Sequence, residues 1–379
     1  MNNNKIINYK KNMSYKNLYI AATSQHVGKT TSTLGLISGF HNKGIHVGYC
    51  KPVGQKYVVH NNLQVDKDVI LFADLLNFKP DPILHSPVIL GSGTTSDFLK
   101  NPEKYHFEDR LQNAAHELNR LNDLTVYEGT GHPGVGSVVN LSNADVAKRI
   151  NANVVMVAEG GVGNTIDMLN MCMALFREKE VPVMGVILNK VLEDKREKCE
   201  FYVKKWLDKH KIPLLGTLPY DKTMSLPLLK TVADSVNGTF EYNSEFQNNM
   251  VSDIIAGSLI SSDELKGKSA GSLLVVGAAR LDIAIADTVR ISKAFGLEKS
   301  PFAGIISTGH GSYSRQTVEY IQKHQIPVIR TMLETYGAVL KISRIEVKIN
   351  PQTPWKVMRA IEMIEKNVDL DYILEQSKL

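Results

Sequence analysis

Residues 22–31, ATSQHVGKTT, combine small residues with a lysine and hydroxyl side chains between an apolar run and a helical pattern. In such a setting the backbone N–H groups of the loop and the helix N-terminus point at a phosphate, and the helix dipole favours its negative charge. Lys29 would reach the β- and γ-phosphates as a compact cation, and Thr30 would place its hydroxyl on Mg²⁺. The usual glycine five positions before Gly28 is Thr23, which is small enough for a tight turn. The pattern predicts a variant phosphate loop.

Lys51 is the second residue suited to phosphate chemistry. It follows the apolar run 46–50, and Pro52 stops that predicted strand. Ligands of parallel α/β sheets bind at the carboxyl ends of the strands, so we expect Lys51 to lie beside the phosphate loop. A lysine there could neutralise charge on a transferring phosphoryl group. The alternative is a solvated lysine after a strand.

Two acidic positions are candidates for holding a metal ion. Glu128 ends the apolar run LTVYE, and a carboxylate at that strand end can hold Mg²⁺ directly or through water. Asp68 opens a predicted helix and could share the ion, although Asp66 competes with it and either could simply be an N-cap. Glu159 ends the next strand and can face solvent, and His132 is either an incidental loop residue or a substrate contact.

The apolar and amphipathic segments between residues 17 and 230 indicate the fold that positions these residues. Strands are predicted at 17–22, 46–53, 124–129, 153–161 and 181–191, and helices at 29–43, 143–151 and 165–180. The strands are continuously apolar rather than alternating. We therefore predict an α/β fold with a mostly parallel sheet covered by helices on both faces.

A second, smaller α/β domain is predicted at 251–379, after a polar linker at 231–250. Its strands are expected at 271–279, 302–308, 326–331 and 344–350, and its helices at 282–296, 313–325 and 354–367. Residues 1–16 are predicted to be a disordered lead-in, in which Met13 is an alternative start. The first domain then spans 17–230.

The composition narrows the class of protein. Hydrophobic residues make up 43% and charged residues 22% of the chain, as in soluble globular proteins. The net charge of +5 is not concentrated in a basic tract beyond the first residues, so nucleic acid is not expected as a partner. No run approaches the roughly 18 apolar residues that would span a membrane. Three separated cysteines favour a reducing, cytoplasmic setting.

Residues 17–230 resemble the dethiobiotin synthetase-like family of P-loop proteins. The matching stretches are ATSQHVGKTT (22–31), YCKPV (49–53), VYEGTG (126–131), GVILNKV (185–191) and LGTLPYD (215–221). The resemblance implies a P-loop NTPase-like fold that binds ATP and Mg²⁺ and phosphorylates a carboxylate-type group.

The resemblance also implies roles for individual residues. The nucleotide would be held by the loop residues Thr23, Ser24, Gln25, His26, Val27, Gly28, Lys29, Thr30 and Thr31. Lys29 and Lys51 would act in transfer. The metal would be attended by Thr30, Asp68 and Glu128, and the adenine would lie near Asn189 and Pro219. Gln55 replaces the serine that handles substrate in true dethiobiotin synthetases, which argues against dethiobiotin formation.

Residues 245–379 resemble the domain named for its Asp-Arg-Thr-Gly-Gly pattern, through residues 271–286 and 304–312. The signature aspartate is Ala279 and a signature glycine is His310, so a function that needs that motif is not expected. The whole arrangement is similar to the N-terminal half of long bacterial phosphate acetyltransferases. That similarity implies a homo-oligomer formed through the second domain.

Two functions are compatible with these features. The first is an ATP- and Mg²⁺-dependent enzyme that activates a small carboxylate or carbamate. The second is a nucleotide-sensing regulatory protein with slow or no turnover, which the altered second motif favours. A glutamine-dependent amide synthase of the cobyrinic acid type would need a cysteine nucleophile in a C-terminal domain, and no cysteine follows Cys199.

Overall fold

The computed structural model describes residues 14–60, 63–265, 271–297, 299–345, 347, 349 and 353–379. The chain forms two compact units: one takes the described residues up to Tyr220 and from Ile349 onward, and the other takes Asp221–Lys348. Most of the predicted lead-in over 1–16 lies outside the described residues. Part of the predicted strand over 344–350 lies outside them as well. Tyr15, which that lead-in included, is buried, and its N–H donates to the carbonyl of Asp123 at 3.0 Å.

The first unit contains ten strands and eight helices before the chain enters the second unit, counted over the described residues. The strands are β1 (Leu18–Ala22), β2 (Val47–Cys50), β3 (Val53–Gly54), β4 (Tyr57–His60), β5 (Leu63–Asp66), β6 (Val88–Ile89), β7 (Leu124–Glu128), β8 (Asn153–Glu159), β9 (Val183–Val191) and β10 (Leu214–Pro219). The helices are α1 (Lys29–Asn42), α2 (Lys67–Leu76), α3 (Pro82–His85), α4 (Thr94–Lys100), α5 (Phe107–Leu121), α6 (Asn143–Arg149), α7 (Gly163–Glu178) and α8 (Arg196–Lys209).

Six of these strands form the central sheet, in the order β10-β9-β8-β1-β7-β2, and every described pairing among them is parallel. All five residues of β1 and of β7 are buried. Continuous apolar strands of this kind require cover on both faces. The carboxyl ends of β1, β7 and β2 consequently meet at one edge. The phosphate loop follows β1, Glu128 is the last residue of β7, and Lys51 follows β2.

The second unit is built around a five-stranded sheet in the order β11-β15-β14-β13-β12. Its strands are β11 (Thr239–Tyr242), β12 (Asp253–Ala256), β13 (Ser272–Gly277), β14 (Phe302–Thr308) and β15 (Val328–Thr331). Its helices are α9 (Leu229–Ser235), α10 (Ser262–Leu265), α11 (Leu281–Phe295), α12 (Arg315–Lys323) and α13 (Thr335–Ser343). Only β11 is antiparallel to its neighbour within this sheet. An apolar core lies on each of its faces.

The last two helices, α14 (Pro354–Asn367) and α15 (Leu370–Ser377), pack in the first unit rather than in the second. A Cβ at Gly35 of α1 would lie 2.3 Å from Ile364 Cγ1, and one at Gly39 would lie 2.4 Å from Leu370 Cδ1. Gly35 therefore has to be glycine for α14 to lie this close to α1, whereas the tip of Leu370 opposite Gly39 can turn aside. The sequence assigned the helix over 354–367 to the second domain, and the structure differs because these glycines give it a groove in the first unit.

The predicted linker at 231–250 also differs from the structure, which has the end of α9 and all of β11 in that segment. The α/β fold class, with a mostly parallel sheet flanked by helices and a second smaller α/β unit, is confirmed. Among the described residues no helix is both long and apolar enough to cross a membrane.

Candidate nucleotide-binding site

The phosphate loop runs from the end of β1 to the start of α1. The Thr23 N–H donates to the carbonyl of Val157 at 3.0 Å, which ties the loop's first residue to β8. Gly28 has φ +104°, and a Cβ there would lie 1.9 Å from Asn189 Nδ2. Both the backbone conformation and the space therefore require glycine at this position. Gln25 and His26 are exposed.

Asn189 supports the loop from β9, which is separated from β1 by β8 in the sheet. Its Nδ2 donates to the Val27 carbonyl at 2.7 Å, and its Oδ1 accepts from the Lys190 N–H at 2.8 Å. The side chain is buried and fixes the turn just before Gly28. Pro219 ends β10 and pairs with Val191 of β9. The expectation that these two residues lie near an adenine stays a prediction.

Lys29 points back into the phosphate loop. Its Nζ donates to the Ser24 carbonyl at 3.1 Å and to the Gly131 carbonyl at 2.8 Å. Gly131 belongs to the loop after β7, so Lys29 bridges the ends of two neighbouring strands. Phosphate oxygens are acceptors of the same kind as these carbonyls and carry charge as well. An entering phosphate can therefore take the place of these contacts.

Glu128 is the centre of the polar network at this edge. Its side chain is only 1% exposed. Its Oε1 accepts from Lys51 Nζ at 2.8 Å and from Thr30 Oγ1 at 2.9 Å, while Oε2 lies 3.5 Å from the Tyr49 hydroxyl. A carboxylate with this burial is stable only because donors surround it.

Lys51 makes a second ion pair, with Asp68 Oδ2 at 2.8 Å, and a longer contact with the Gly129 carbonyl at 3.4 Å. Burial alone lowers the pKa of Lys51, but Asp68 and Glu128 outweigh it and raise that pKa well above its usual range. The lysine is therefore charged at any physiological pH. Lys51 follows β2, which pairs with β7 rather than with β1. Its ammonium group therefore bonds to Glu128 at the end of β7, and that carboxylate in turn accepts from Thr30 of the phosphate loop.

The two aspartates at the start of α2 have different tasks. Asp66 is the N-cap of α2, and its Oδ1 accepts from the Asp68 N–H at 2.9 Å. Burial raises the pKa of Asp66 to about 6, although Lys51 acts in the opposite direction. Asp68 instead directs its carboxylate to Lys51. The geometry therefore separates the capping role of the first aspartate from the ion-pairing role of the second.

Asn143, at the start of α6, has a positioning role that sequence reasoning missed. Its Oδ1 accepts from the Tyr19 hydroxyl at 2.5 Å and from the Thr130 N–H at 3.1 Å. Its Nδ2 donates to the carbonyls of Thr130 at 2.9 Å and His132 at 2.6 Å. These bonds hold the loop that carries Gly131 against β1. No local signal marked Asn143, because its partners include a residue 124 positions away.

The remaining polar candidates lie at the margin of the site. Glu159 is exposed and pairs with Lys190 at 3.3 Å. His132 is exposed, and its Nδ1 accepts from the Gly134 N–H at 3.2 Å. Gln55 is exposed. None of these contacts identifies a substrate group.

The oxygen donors around Lys51 fit the chemistry of Mg²⁺. One hydroxyl (Thr30) and two carboxylates (Asp68 and Glu128) lie together, and Mg²⁺ on nucleotides is usually bound by one or two carboxylates, waters and phosphate oxygens. Among the described residues no group of three or more His, Cys, Asp or Glu side chains could hold a metal ion. The hydroxyl and the two carboxylates would therefore need phosphate oxygens to complete the coordination of Mg²⁺.

The sequence of the first unit matches a family of known proteins. Residues 16–227 match the family described as AAA domain, which is more than half of the chain. The chain belongs to this AAA domain family. The first unit is accordingly a P-loop NTPase-like domain, as the sequence predicted.

Among curated proteins, the chain is similar to phosphate acetyltransferase of Acinetobacter baylyi, at 23% identity over 93% of this chain and 51% of that protein. It is also similar to cobyric acid synthase of Clostridium perfringens, at 27% identity over 55% of this chain and 47% of that protein. The chain thus spans about half the length of these relatives. The predicted similarity to phosphate acetyltransferases is confirmed, whereas the resemblance to the Asp-Arg-Thr-Gly-Gly domain stays a prediction.

Among solved structures, the MinC:MinD cell division protein complex of Aquifex aeolicus is similar at 14% identity, with a TM-score of 0.38 over 55% of this chain and 83% of that one. A likeness this partial supports no conclusion about function.

Proposed function

We propose that the first unit binds ATP with Mg²⁺ and uses it to activate a small carboxylate or carbamate by phosphoryl transfer. The observation that carries this proposal is the network in which Lys51 and Thr30 share one oxygen of Glu128, next to a phosphate loop with Lys29. Phosphoryl transfer requires a cation, a hydroxyl that can bind Mg²⁺ and a carboxylate, all beside a phosphate loop.

In the proposed reaction a carboxylate oxygen of the substrate forms a bond to the γ-phosphorus. The bond from that phosphorus to the β–γ bridging oxygen breaks, and the electron pair leaves with ADP. Lys29 would hold the β- and γ-phosphates, and Lys51 would offset charge on the transferring group. Thr30, Asp68 and Glu128 would hold Mg²⁺, which when bound neutralises phosphate charge.

A second candidate function is a nucleotide-sensing regulatory protein with slow or no turnover. It is favoured by Ala279 and His310, which replace signature residues in the second unit, and by the similarity to part of phosphate acetyltransferase. Both functions are compatible with a cytoplasmic homo-oligomer assembled through the second unit. Light scattering on the full chain tests the assembly, and a monomeric mass would exclude it.

Calorimetric titration of the full chain with ATP and Mg²⁺ tests nucleotide binding. We expect binding in the wild type and a loss of about 100-fold or more in Lys29→Gln, because the phosphates lose their cation. Lys190→Gln is the matched control. Lys190 lies at the same edge of the sheet, and its ammonium group pairs with the exposed Glu159 rather than with a residue of the proposed site. Equal affinity in wild type and Lys29→Gln would refute the proposal.

Phosphate release in the presence of a panel of small carboxylates and bicarbonate then separates the two functions. The enzyme predicts release that one compound stimulates and that needs both Lys29 and Lys51. Tight nucleotide binding without stimulated release would favour the sensor.

A further inference from the structure

The position of the Lys51 ammonium group raises a question that nucleotide binding alone does not answer. Its Nζ lies 2.8 Å from Glu128 Oε1 and 2.8 Å from Asp68 Oδ2, and the same Glu128 oxygen accepts from Thr30. These are the three side chains that the proposed function assigns to Mg²⁺. The lysine ammonium group is therefore paired with the same carboxylate oxygens that would bind a metal ion.

Two properties make this arrangement more than a surface ion pair. The side chains of Lys51 and Glu128 are 6% and 1% exposed, so water contributes little to the stability of their charges. Two carboxylates that approach the same point would repel each other without a cation between them. The Lys51 ammonium group allows both carboxylates to stay ionised when no nucleotide is present.

We infer that Lys51 is a built-in counter-cation of the metal site. Its ammonium group holds Glu128 and Asp68 in place before loading, and releases them to Mg²⁺ when the Mg²⁺–nucleotide complex binds. The released ammonium then turns to the γ-phosphate. This inference rests on the proposed function, because it needs Mg²⁺ to enter with the nucleotide.

The consequence is a competition between one lysine and one divalent ion. In the wild type, Mg²⁺ alone must displace a paired cation, so binding without nucleotide is weak. Phosphate oxygens shift the balance, since they supply further ligands for the ion and a new partner for the lysine. Lys51 would thus keep the site from taking a divalent ion until a nucleotide is present.

Mn²⁺ binding to the nucleotide-free full chain, measured from the EPR signal of free Mn²⁺, tests the competition. We expect Lys51→Gln to bind Mn²⁺ about tenfold more tightly than the wild type, or more. The gain should vanish in the double variant Lys51→Gln/Glu128→Gln, which lacks the carboxylate, and should be absent in Lys190→Gln. Equal Mn²⁺ affinity in folded Lys51→Gln and wild type would overturn the inference.

A measurement on the wild type covers the case in which Lys51→Gln does not fold. The ammonium signals of ¹⁵N-lysine-labelled protein should include one protected resonance, assigned to Lys51 by its absence from Lys51→Arg. That resonance should shift when Mg²⁺ and a non-hydrolysable ATP analogue are added. An unchanged resonance, with nucleotide binding detected by calorimetry, would overturn the inference alone. Absence of nucleotide binding would instead refute the proposed function.

Discussion

The two units present a cation at the carboxyl ends of parallel strands in different ways. Lys51 of the first unit bonds to two carboxylates, Asp68 and Glu128. Arg330 of the second unit pairs through Nε with Glu241 at 2.9 Å. Its other two nitrogens donate to loop carbonyls, of Gly309 at 3.1 Å and Gly311 at 3.0 Å.

The difference lies in what the partners could do next. The carboxylates around Lys51 are ligands that a metal ion prefers, and a lysine is a point charge that can turn to a phosphate. The planar fork of Arg330 instead bonds backbone carbonyls of the loop after β14 and lies 4.8 Å from the Tyr313 ring. These hydrogen bonds hold the loop after β14 in place. The contrast fits the proposal that the first edge is arranged for exchange and the second for support.

The largest effect that separates the two edges is expected for Lys51→Met. Removing one member of a buried pair leaves an uncompensated charge, so the free energy of unfolding should fall by about 3–5 kcal/mol. Urea denaturation of the full chain, followed by circular dichroism, measures it. The double variant Lys51→Met/Glu128→Gln should recover part of the loss. No recovery would mean that packing, rather than charge, makes Lys51 important.

Asn143→Ala tests whether the loop beside Lys29 is held by one amide. Four hydrogen-bonding groups would lose their partner, among them the fully buried Tyr19 hydroxyl, and this should cost about 3 kcal/mol in the free energy of unfolding. ATP affinity should fall about tenfold as well, because the Gly131 carbonyl would no longer be held opposite Lys29. A loss of stability with unchanged affinity, measured by calorimetry at a temperature where the variant is folded, would restrict Asn143 to a structural role.

Arg330→Gln should have a smaller effect, confined to the second unit. Loss of its charged hydrogen bonds should lower the free energy of unfolding by about 2 kcal/mol. Affinity for ATP should stay within about twofold of the wild type, because the edge of the first unit is unchanged. The same titration as for Lys29→Gln measures it. A large fall in ATP affinity would contradict the contrast between an exchange edge and a support edge.

Local patterns predicted the parts of the site that are contiguous or end a strand. Gly28 and Lys29 lie in one short motif. Lys51 follows one apolar strand and Glu128 ends another, and the ends of these strands must meet in a parallel sheet. The roles of Asp66 and Asp68 stayed open, because the choice depends on which carboxylate reaches Lys51 across the β4–β5 hairpin. The hydrophobic periodicity of the sequence does not give the distance between Lys51 and either carboxylate.

Long-range packing explains the remaining differences. The helix over 354–367 has the ordinary amphipathic pattern, and nothing in that pattern states that Gly35 and Gly39 of α1 provide its groove. Asn143 likewise has no distinguishing neighbour in the sequence. Its importance arises only when folding brings Tyr19 and the loop after β7 to the same amide.

The smallest predicted effect compares two histidines, one in each unit, that each pack against an aromatic ring. The His85 ring lies 4.3 Å from that of Phe78, and the His324 ring lies 4.4 Å from that of Tyr320. Burial lowers the pKa of both, and His85 is the more deeply buried. His85 Nδ1 lies 3.0 Å from the Asp81 nitrogen and 3.1 Å from the Asp81 carbonyl oxygen, and burial outweighs the opposing effect of Asp81 on the pKa.

Because the pKa of His85 is lower in the folded than in the unfolded chain, the unfolded chain binds more protons below about pH 6.5. The stabilisation is therefore present above that pH and is lost as the pH falls toward the folded-state pKa. Urea denaturation at pH 7.5 and 5.5 should show a smaller pH-dependent loss in His85→Gln than in the wild type. His324→Gln should change that difference less, since its ring is more exposed. Equal losses in wild type and His85→Gln would show that other groups control acid stability in the first unit.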